Sequence, residues 1–183
     1  MIINKNTIGL RFEGENGRYV YEGDIVAEKS IKIDLDFNLF VAGSIKTAGS
    51  LVSNCWLSVQ NSVFASKNII SPYLETISGS IVAGQNIMVD EGLSSGFVIK
   101  TRNGAIKSGR WIQAAGEIDS GENIETGGGI VAGLKISANG DIRAGYGVTA
   151  GACCWKRVTS GARSIYCREI EADLIVGIVD RIA

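Results

Sequence analysis

The chemistry open to this chain is limited first by the complete absence of histidine from its 183 residues. Without imidazole, neither a Ser-His nor a Cys-His nucleophile system can form, and the commonest metal ligand is missing. Four cysteines are present, with no CxxC spacing, and the adjacent pair Cys153–Cys154 is poorly placed for a disulfide. We therefore expect no enzyme, no cofactor and no metal site, and reduced thiols in a cytoplasmic protein.

The charged residues contain one basic run and scattered carboxylates. Four basic residues without an acidic neighbour form a candidate patch for an anion or an acidic partner: Lys100, Arg102, Lys107 and Arg110. A solvated corner is the simpler alternative, since the net charge of −1 supplies no long-range field and no aromatic ladder accompanies the run. Glu117 and Asp119 could belong to a carbohydrate-cleaving site, but solvent-exposed surface charge explains them more simply.

All these residues must be positioned by a repeat of six residues that runs through most of the chain. Counting by sixes from Ile106 to Val148, every position is aliphatic, and a small residue follows two positions later. The same period runs from Ile33 to Ile99, where all but one of the positions are aliphatic. A one-residue insertion near Asn103 separates the two halves.

A period of six fits no helix, because helical patterns repeat every 3.6 or 3.5 residues. Positions 1 and 3 of each hexad would instead point inward along a short strand. The glycine or asparagine that follows would turn a corner with a positive φ. The hexapeptide repeat therefore predicts an all-β fold, a single-stranded, three-faced parallel β-helix (β-solenoid) with coils of ~18 residues.

The same count makes two local predictions. It stacks four aliphatic residues in one core column: Ile33, Leu51, Ile69 and Ile87. It also places Glu75 at a core position, where an unpaired charge is costly. We expect a bulge after Pro72 to turn Glu75 outward and let Leu74 in, with a buried functional carboxylate as the alternative.

The two ends of the chain depart from the repeat. Residues 7–22 alternate around a GENG turn and predict a hairpin, so that residues 1–24 form an N-terminal cap. Residues 25–153 form the solenoid. Residues 154–183 predict a C-terminal cap of one or two strands or, alternatively, an oligomerisation segment. Such caps would cover strand edges that otherwise invite aggregation.

Outward apolar residues define a candidate protein interface on each face. Face by face they are Val52, Ile70 and Met88; Phe64, Val82 and Val98; and Trp56 and Trp111. A stacked stripe of apolar residues on a flat sheet is typical of a protein interface, although the terminal segments could cover it instead.

The glycine-rich stretch IETGGGIVAGLKISANGDIRAGYG (residues 124–147) is similar to bactofilins, the polymer-forming β-helix proteins of bacteria. The resemblance covers about residues 33–150 and rests on the style of the repeat. It implies a right-handed three-faced helix and end-to-end assembly. Both termini differ from the short disordered tails that bactofilins carry.

Together these observations predict a non-catalytic, protein-binding β-solenoid that presents a rigid flat surface. We expect it to self-associate as a homodimer or small homo-oligomer. Two alternatives stay open: a bactofilin-like polymerising scaffold, and a phage or mobile-element inhibitor that blocks a host (defence) enzyme by surface docking. No membrane partner is expected, because no run of about 20 apolar residues is present, and nucleic acid is not expected either.

Overall fold

The computed structural model describes residues 1–151 and 164–182, which contain only strands and turns. The strands are short because each hexad offers two inward side chains on either side of one outward side chain. The chain visits three parallel sheets in turn and winds into a three-faced β-solenoid. It makes about eight turns with coils of about 18 residues, which confirms the predicted fold class.

Within residues 1–151 and again within 164–182, the strands follow one another with only turns between them. The N-terminal strands are β1 (Ile2–Ile3), β2 (Leu10–Glu13), β3 (Arg18–Tyr21) and β4 (Ile25–Ala27). The next coils contain β5 (Ile31–Ile33), β6 (Asn38–Val41), β7 (Ile45–Thr47), β8 (Leu51–Ser53), β9 (Leu57–Val59), β10 (Val63–Ala65), β11 (Ile69–Ser71), β12 (Leu74–Thr76), β13 (Ile81–Ala83), β14 (Ile87–Val89), β15 (Gly92–Ser95) and β16 (Ile99–Thr101). The most regular coils contain β17 (Ile106–Ser108), β18 (Trp111–Ala114), β19 (Ile118–Ser120), β20 (Ile124–Thr126), β21 (Ile130–Ala132), β22 (Ile136–Ala138), β23 (Ile142–Ala144) and β24 (Gly147–Ala150). The last described strands are β25 (Ser164–Cys167), β26 (Ile170–Glu171), β27 (Leu174–Val176) and β28 (Ile178–Arg181).

Each sheet takes one strand from every coil. Sheet A has the order β1-β5-β8-β11-β14-β17-β20-β23-β26. Sheet B has the order β2-β3-β6-β9-β12-β15-β18-β21-β24-β27, and sheet C runs from β4 through β7, β10, β13, β16, β19, β22 and β25 to β28. All neighbours are parallel except the predicted hairpin, in which β2 pairs antiparallel with β3 and so lies at the end of sheet B.

Aliphatic side chains stack on their counterparts from coil to coil inside the rod. On sheet A, Ile106, Ile124 and Ile142 are direct neighbours in register and have no accessible surface. Each such side chain removed from water stabilises the fold by about 1.5–3 kcal/mol. Buried hydroxyls bond to corner carbonyls, as Ser120 does to Asn123 (3.0 Å), and no buried side-chain polar atom of the described residues lacks a partner.

The predicted core column is wrong at its first member. Ile31, and not Ile33, pairs with Leu51, while Ile33 takes the second inward position opposite Ser53. The cause is a longer turn at residues 34–37, between β5 and β6, in which Leu35 is also buried. Both isoleucines are fully buried, so the change of register leaves the core apolar.

Glu75 points outward and Leu74 takes the core position, as predicted. A shortened corner, and not the expected bulge, turns Glu75 outward, since only Pro72 and Tyr73 lie between β11 and β12. The next corner, residues 77–80, restores the lost residue. Because of this shift Thr76 is buried as the small partner, and Ile77 is 52% exposed. The insertion near Asn103 is confirmed as a lengthened corner at residues 102–105.

The predicted positive φ is wrong for all but one of the corner glycines. Among the described residues positive φ occurs at Gly9, Gly17, Gly23, Gly151 and Gly177, and of these Gly151 alone follows a strand of the regular coils. At the other corners glycine is required by close approach between coils. A Cβ atom at the corner position would collide with a backbone carbonyl oxygen of the preceding coil at three successive coils: Gly109, Gly127 and Gly145.

The described C-terminal residues continue the solenoid with four strands, where one or two capping strands were expected. Strands β25–β28 pair in parallel with the preceding coils and extend all three sheets. The predicted boundary between residues 153 and 154, and the pair Cys153–Cys154, lie outside the described residues.

Candidate binding surfaces

The basic run does not form one patch, because its residues lie on different faces. Three of its members pair with carboxylates of neighbouring coils: Lys100 with Asp119 on sheet C, Lys107 with Glu125 on sheet A (2.8 Å), and Arg110 with Glu91 at a corner (3.9 Å). Arg102 is exposed at the lengthened corner. Exposed pairs of this kind contribute about 0–1 kcal/mol each. The structure therefore offers no joint anion site at these four residues.

The outer face of sheet A carries one side chain per strand in a single row. From the N-terminal end, the row reads Ile2, Lys32, Val52, Ile70, Met88, Lys107, Glu125, Arg143 and Glu171. The predicted trio Val52, Ile70 and Met88 is brought together on three adjacent strands, about 4.8 Å apart. Val52 and Ile70 are half-buried and Met88 is 38% exposed. We call this trio the apolar row.

Beyond the apolar row the same face becomes a ladder of alternating charge. Glu125 lies between Lys107 (2.8 Å) and Arg143 (3.8 Å), and Arg143 reaches Glu171 (3.8 Å). The hydrogen bond from Lys107, followed by the two positive charges, lowers the pKa of Glu125. A shallow groove of about 700 Å³ runs between this ladder and the glycine corners described above.

The second predicted stripe is shorter than expected. Phe64 and Val82 are neighbours in register on the outer face of sheet C. The next position in that row is Lys100, and Val98 lies one residue before the inward Ile99, outside the row. A coil of 18 residues counted from Val82 leads to Lys100, so the period itself places Val98 outside the row.

The two tryptophans belong to an aromatic strip that the sequence count missed. Tyr73 lies between them, with its ring centroid 5.1 Å from Trp56 and 6.1 Å from Trp111. Gly92 occupies the intervening coil, and a Cβ atom there would meet the indole of Trp111. Tyr73 enters the strip only because the corner before β12 is one residue short.

A cleft of about 200 Å³ opens beside this strip, where sheet B meets the N-terminal hairpin. Glu75 lies in it and accepts hydrogen bonds from Ser58 (2.6 Å) and from the hydroxyl of Tyr73 (2.9 Å). The guanidinium of Arg18 lies over the ring of Phe40, 4.9 Å from its centroid. The cleft thus combines aromatic rings, one carboxylate and one guanidinium.

Tyr73 should be among the last tyrosines to ionise. Burial, then the hydrogen bond to Glu75 and its negative charge, raises the pKa of Tyr73 from 10.0 to about 12. Because the folded-state pKa is the higher one, the stability contributed is complete below pH 10 and is lost as the pH rises towards 12. We expect an ultraviolet titration to show a late phenolate step that is absent in Tyr73→Phe. An unchanged titration curve in that variant would contradict the assignment.

The described residues contain no group of three or more His, Cys, Asp or Glu side chains that could hold a metal ion. Cys55 and Cys167 are buried free thiols, and burial raises the pKa of both. Within residues 1–151 and 164–182, the structure contains no helix with the length and hydropathy needed to span a bilayer.

Fold and surfaces together define a three-faced parallel β-solenoid with an apolar row, a charge ladder and an aromatic cleft on its described faces. Comparisons of the chain with protein-family models, with curated proteins and with solved structures found no match.

Proposed function

We propose that this protein is a non-catalytic, protein-binding β-solenoid that presents the outer face of sheet A to a protein partner. The observation that carries the proposal is the apolar row on three adjacent strands of a flat sheet. Apolar side chains stacked in this way are favourable to cover, since each square ångström removed from water contributes about 25 cal/mol. The row is therefore the natural centre of an interface.

The solenoid also holds this surface rigid. The strands under the apolar row are hydrogen-bonded to neighbours on both sides, and their inward residues Leu51, Ile69 and Ile87 are fully buried. Binding to a surface that is already ordered costs less conformational entropy than binding to a mobile one. A rigid face of this kind favours a partner with a matching flat surface.

The charges at the two ends of the apolar row favour a partner of different sequence over a second copy. Lys32 precedes the row and Lys107 follows it. A two-fold contact between copies centred on Ile70 would set Lys32 of one copy against Lys107 of the other, and like charges in contact disfavour such pairing. The surface is better suited to a partner whose apolar patch has acidic residues at its rim.

Self-association is a second proposed activity, supported by the C-terminal strands. Leu174, Val176 and Ile178 are exposed on the last strands of sheets B and C. Apolar side chains along terminal strands favour contact with another chain. Mass measurement in solution separates the possibilities: a defined dimer supports a binding module, and a ladder of sizes supports a polymerising scaffold.

Charge substitutions in the apolar row test the main proposal. We expect Met88→Asp and Ile70→Asp to weaken partner binding at least tenfold, because each buries a carboxylate against an apolar surface. Binding is measured by comparing the proteins retained on immobilised wild type and variant, and light scattering reports the assembly state. Ser137→Asp, at the outward position of sheet C, is the matched control. If Met88→Asp and Ile70→Asp bind and assemble like the wild type and like the Ser137→Asp control, the proposed face is wrong.

A further inference from the structure

We propose that the cleft beside the N-terminal hairpin binds a neutral oligosaccharide, with one sugar ring stacked on Trp56. This site lies on sheet B and is independent of the apolar row on sheet A. Three observations lead to it: an exposed indole held in place, a balanced set of hydrogen-bonding groups, and a volume suited to one ring.

The indole of Trp56 is an exposed and fixed platform. Its side chain is 43% exposed, and Tyr73 packs against it at an interplanar angle of 34°. Tyr73 is in turn supported edge-on by Trp111. An aromatic face carries negative charge density, and the polarised C–H groups on one face of a sugar ring are complementary to it. Because the ring is already ordered, stacking costs little side-chain entropy.

The polar groups of the cleft suit hydroxyl groups, which donate and accept at once. A carboxylate offers about four lone-pair sites, and Glu75 uses two of them for Ser58 and Tyr73, so two are left for a ligand. Arg18 donates through Nε to Glu13, and its terminal nitrogens carry further donors. Asn38 adds an exposed amide with both kinds of group.

The two charges in the cleft favour a neutral ligand. Glu75 would repel a phosphate or a sugar acid, and Arg18 would repel an ammonium group, since both side chains line the same cleft. A ligand with many hydroxyls and no charge can use both side chains without either penalty. This argument favours a saccharide over a nucleotide or a basic peptide.

The size of the site favours one ring in the cleft and further rings along the strip. A volume of about 200 Å³ is below that of pockets for drug-sized molecules and corresponds to ~7 water molecules. The strip from Trp56 to Trp111 spans three coil steps, or ~14 Å along the rod. A linear oligosaccharide could therefore leave the cleft along Tyr73 and Trp111.

The site is suited to binding rather than cleavage. Glycoside hydrolysis in its usual form needs two carboxyl groups on either side of the scissile bond. Among the described residues that line the cleft, Glu75 is the only carboxylate, and both of its oxygens accept hydrogen bonds from the protein.

The test is a titration of the full chain with neutral hexasaccharides of glucose, mannose and galactose, followed by tryptophan fluorescence and calorimetry. We expect at least one of them to bind saturably, and we expect Trp56→Ala and Glu75→Gln each to weaken its binding about tenfold or more. Glu75→Gln preserves shape, so it stays informative if Trp56→Ala fails to fold. Thr149→Ala, at an outward position of the same sheet two coils beyond Trp111, should bind as wild type.

Three results would overturn the proposal. The first is no binding of any of these hexasaccharides at millimolar concentration. The second is unchanged affinity in folded Glu75→Gln and Trp56→Ala proteins. The third is a preference for anionic oligosaccharides, single-stranded nucleic acid or a basic peptide that depends on the same two residues.

Discussion

Replacement of Ile124 by aspartate is expected to abolish folding at room temperature or to lower the melting temperature by more than ~10 °C. Ile124 has no accessible surface and stacks between Ile106 and Ile142. Both of these neighbours are aliphatic side chains and carry no hydrogen-bond donor. The new carboxylate would have no partner, and an uncompensated buried charge costs about 3–5 kcal/mol, a large share of the 5–15 kcal/mol that stabilises a typical domain.

Far-UV circular dichroism and thermal unfolding measure this effect. Ile124→Val is the matched core control and should cost only about 0.5–1.5 kcal/mol. Glu125→Gln changes the outward neighbour and should cost no more than the ~1 kcal/mol typical of an exposed ion pair. An Ile124→Asp protein with the wild-type β signal and melting temperature would contradict the register of the core.

Alanine substitutions at two adjacent glycines, Gly128 and Gly129, should have different effects on the free energy of unfolding. A Cβ atom at Gly128 would collide with the carbonyl oxygen of Arg110 in the preceding coil, so that one of the two coils must shift. We expect Gly128→Ala to destabilise the protein by about 1–3 kcal/mol, as overpacking usually does. At Gly129 the nearest atom to a Cβ is the carbonyl oxygen of Gly147 at 3.5 Å, an ordinary contact. There alanine should be neutral or stabilise by about 0.4–1 kcal/mol by restricting the unfolded chain.

Urea unfolding of the two variants beside the wild type provides the measurement. If the slope of the transition is unchanged, the shift of the midpoint reports the change in the free energy of unfolding. Equal destabilisation by both substitutions would show that contact between coils is not what requires glycine at position 128.

The fold could be predicted from the sequence because the same pattern of inward and outward residues recurs in nearly every hexad. An aliphatic residue and a small residue point inward in nearly every coil, so the period survives local exceptions. The length of individual corners could not be predicted. The two-residue corner at Pro72–Tyr73 and the long turn at residues 34–37 fit the core equally well, since a large aliphatic residue, Leu74 or Leu39, fills the core position after each.

The surfaces were predictable only where the period is regular. Val52, Ile70 and Met88 come together because coils of 18 residues connect them, and in the second of these coils the short and the long corner cancel. The basic run is dispersed because consecutive strands of a three-faced coil belong to different sheets. Tyr73 was missed because a shortened corner moved it into line with the tryptophans, and the reason for the corner glycines was missed because it lies between coils.

The compensated corners have a practical consequence for protein engineering. A residue lost before β12 is regained within the following corner, and Leu74 and Leu93 remain in register on sheet B. A change of length at one corner therefore need not propagate along the rod. The corners at residues 77–80 and 102–105 are positions where foreign loops could be grafted. Loops placed on successive coils would be displayed at a fixed spacing of ~4.8 Å, which would make the rod a molecular ruler.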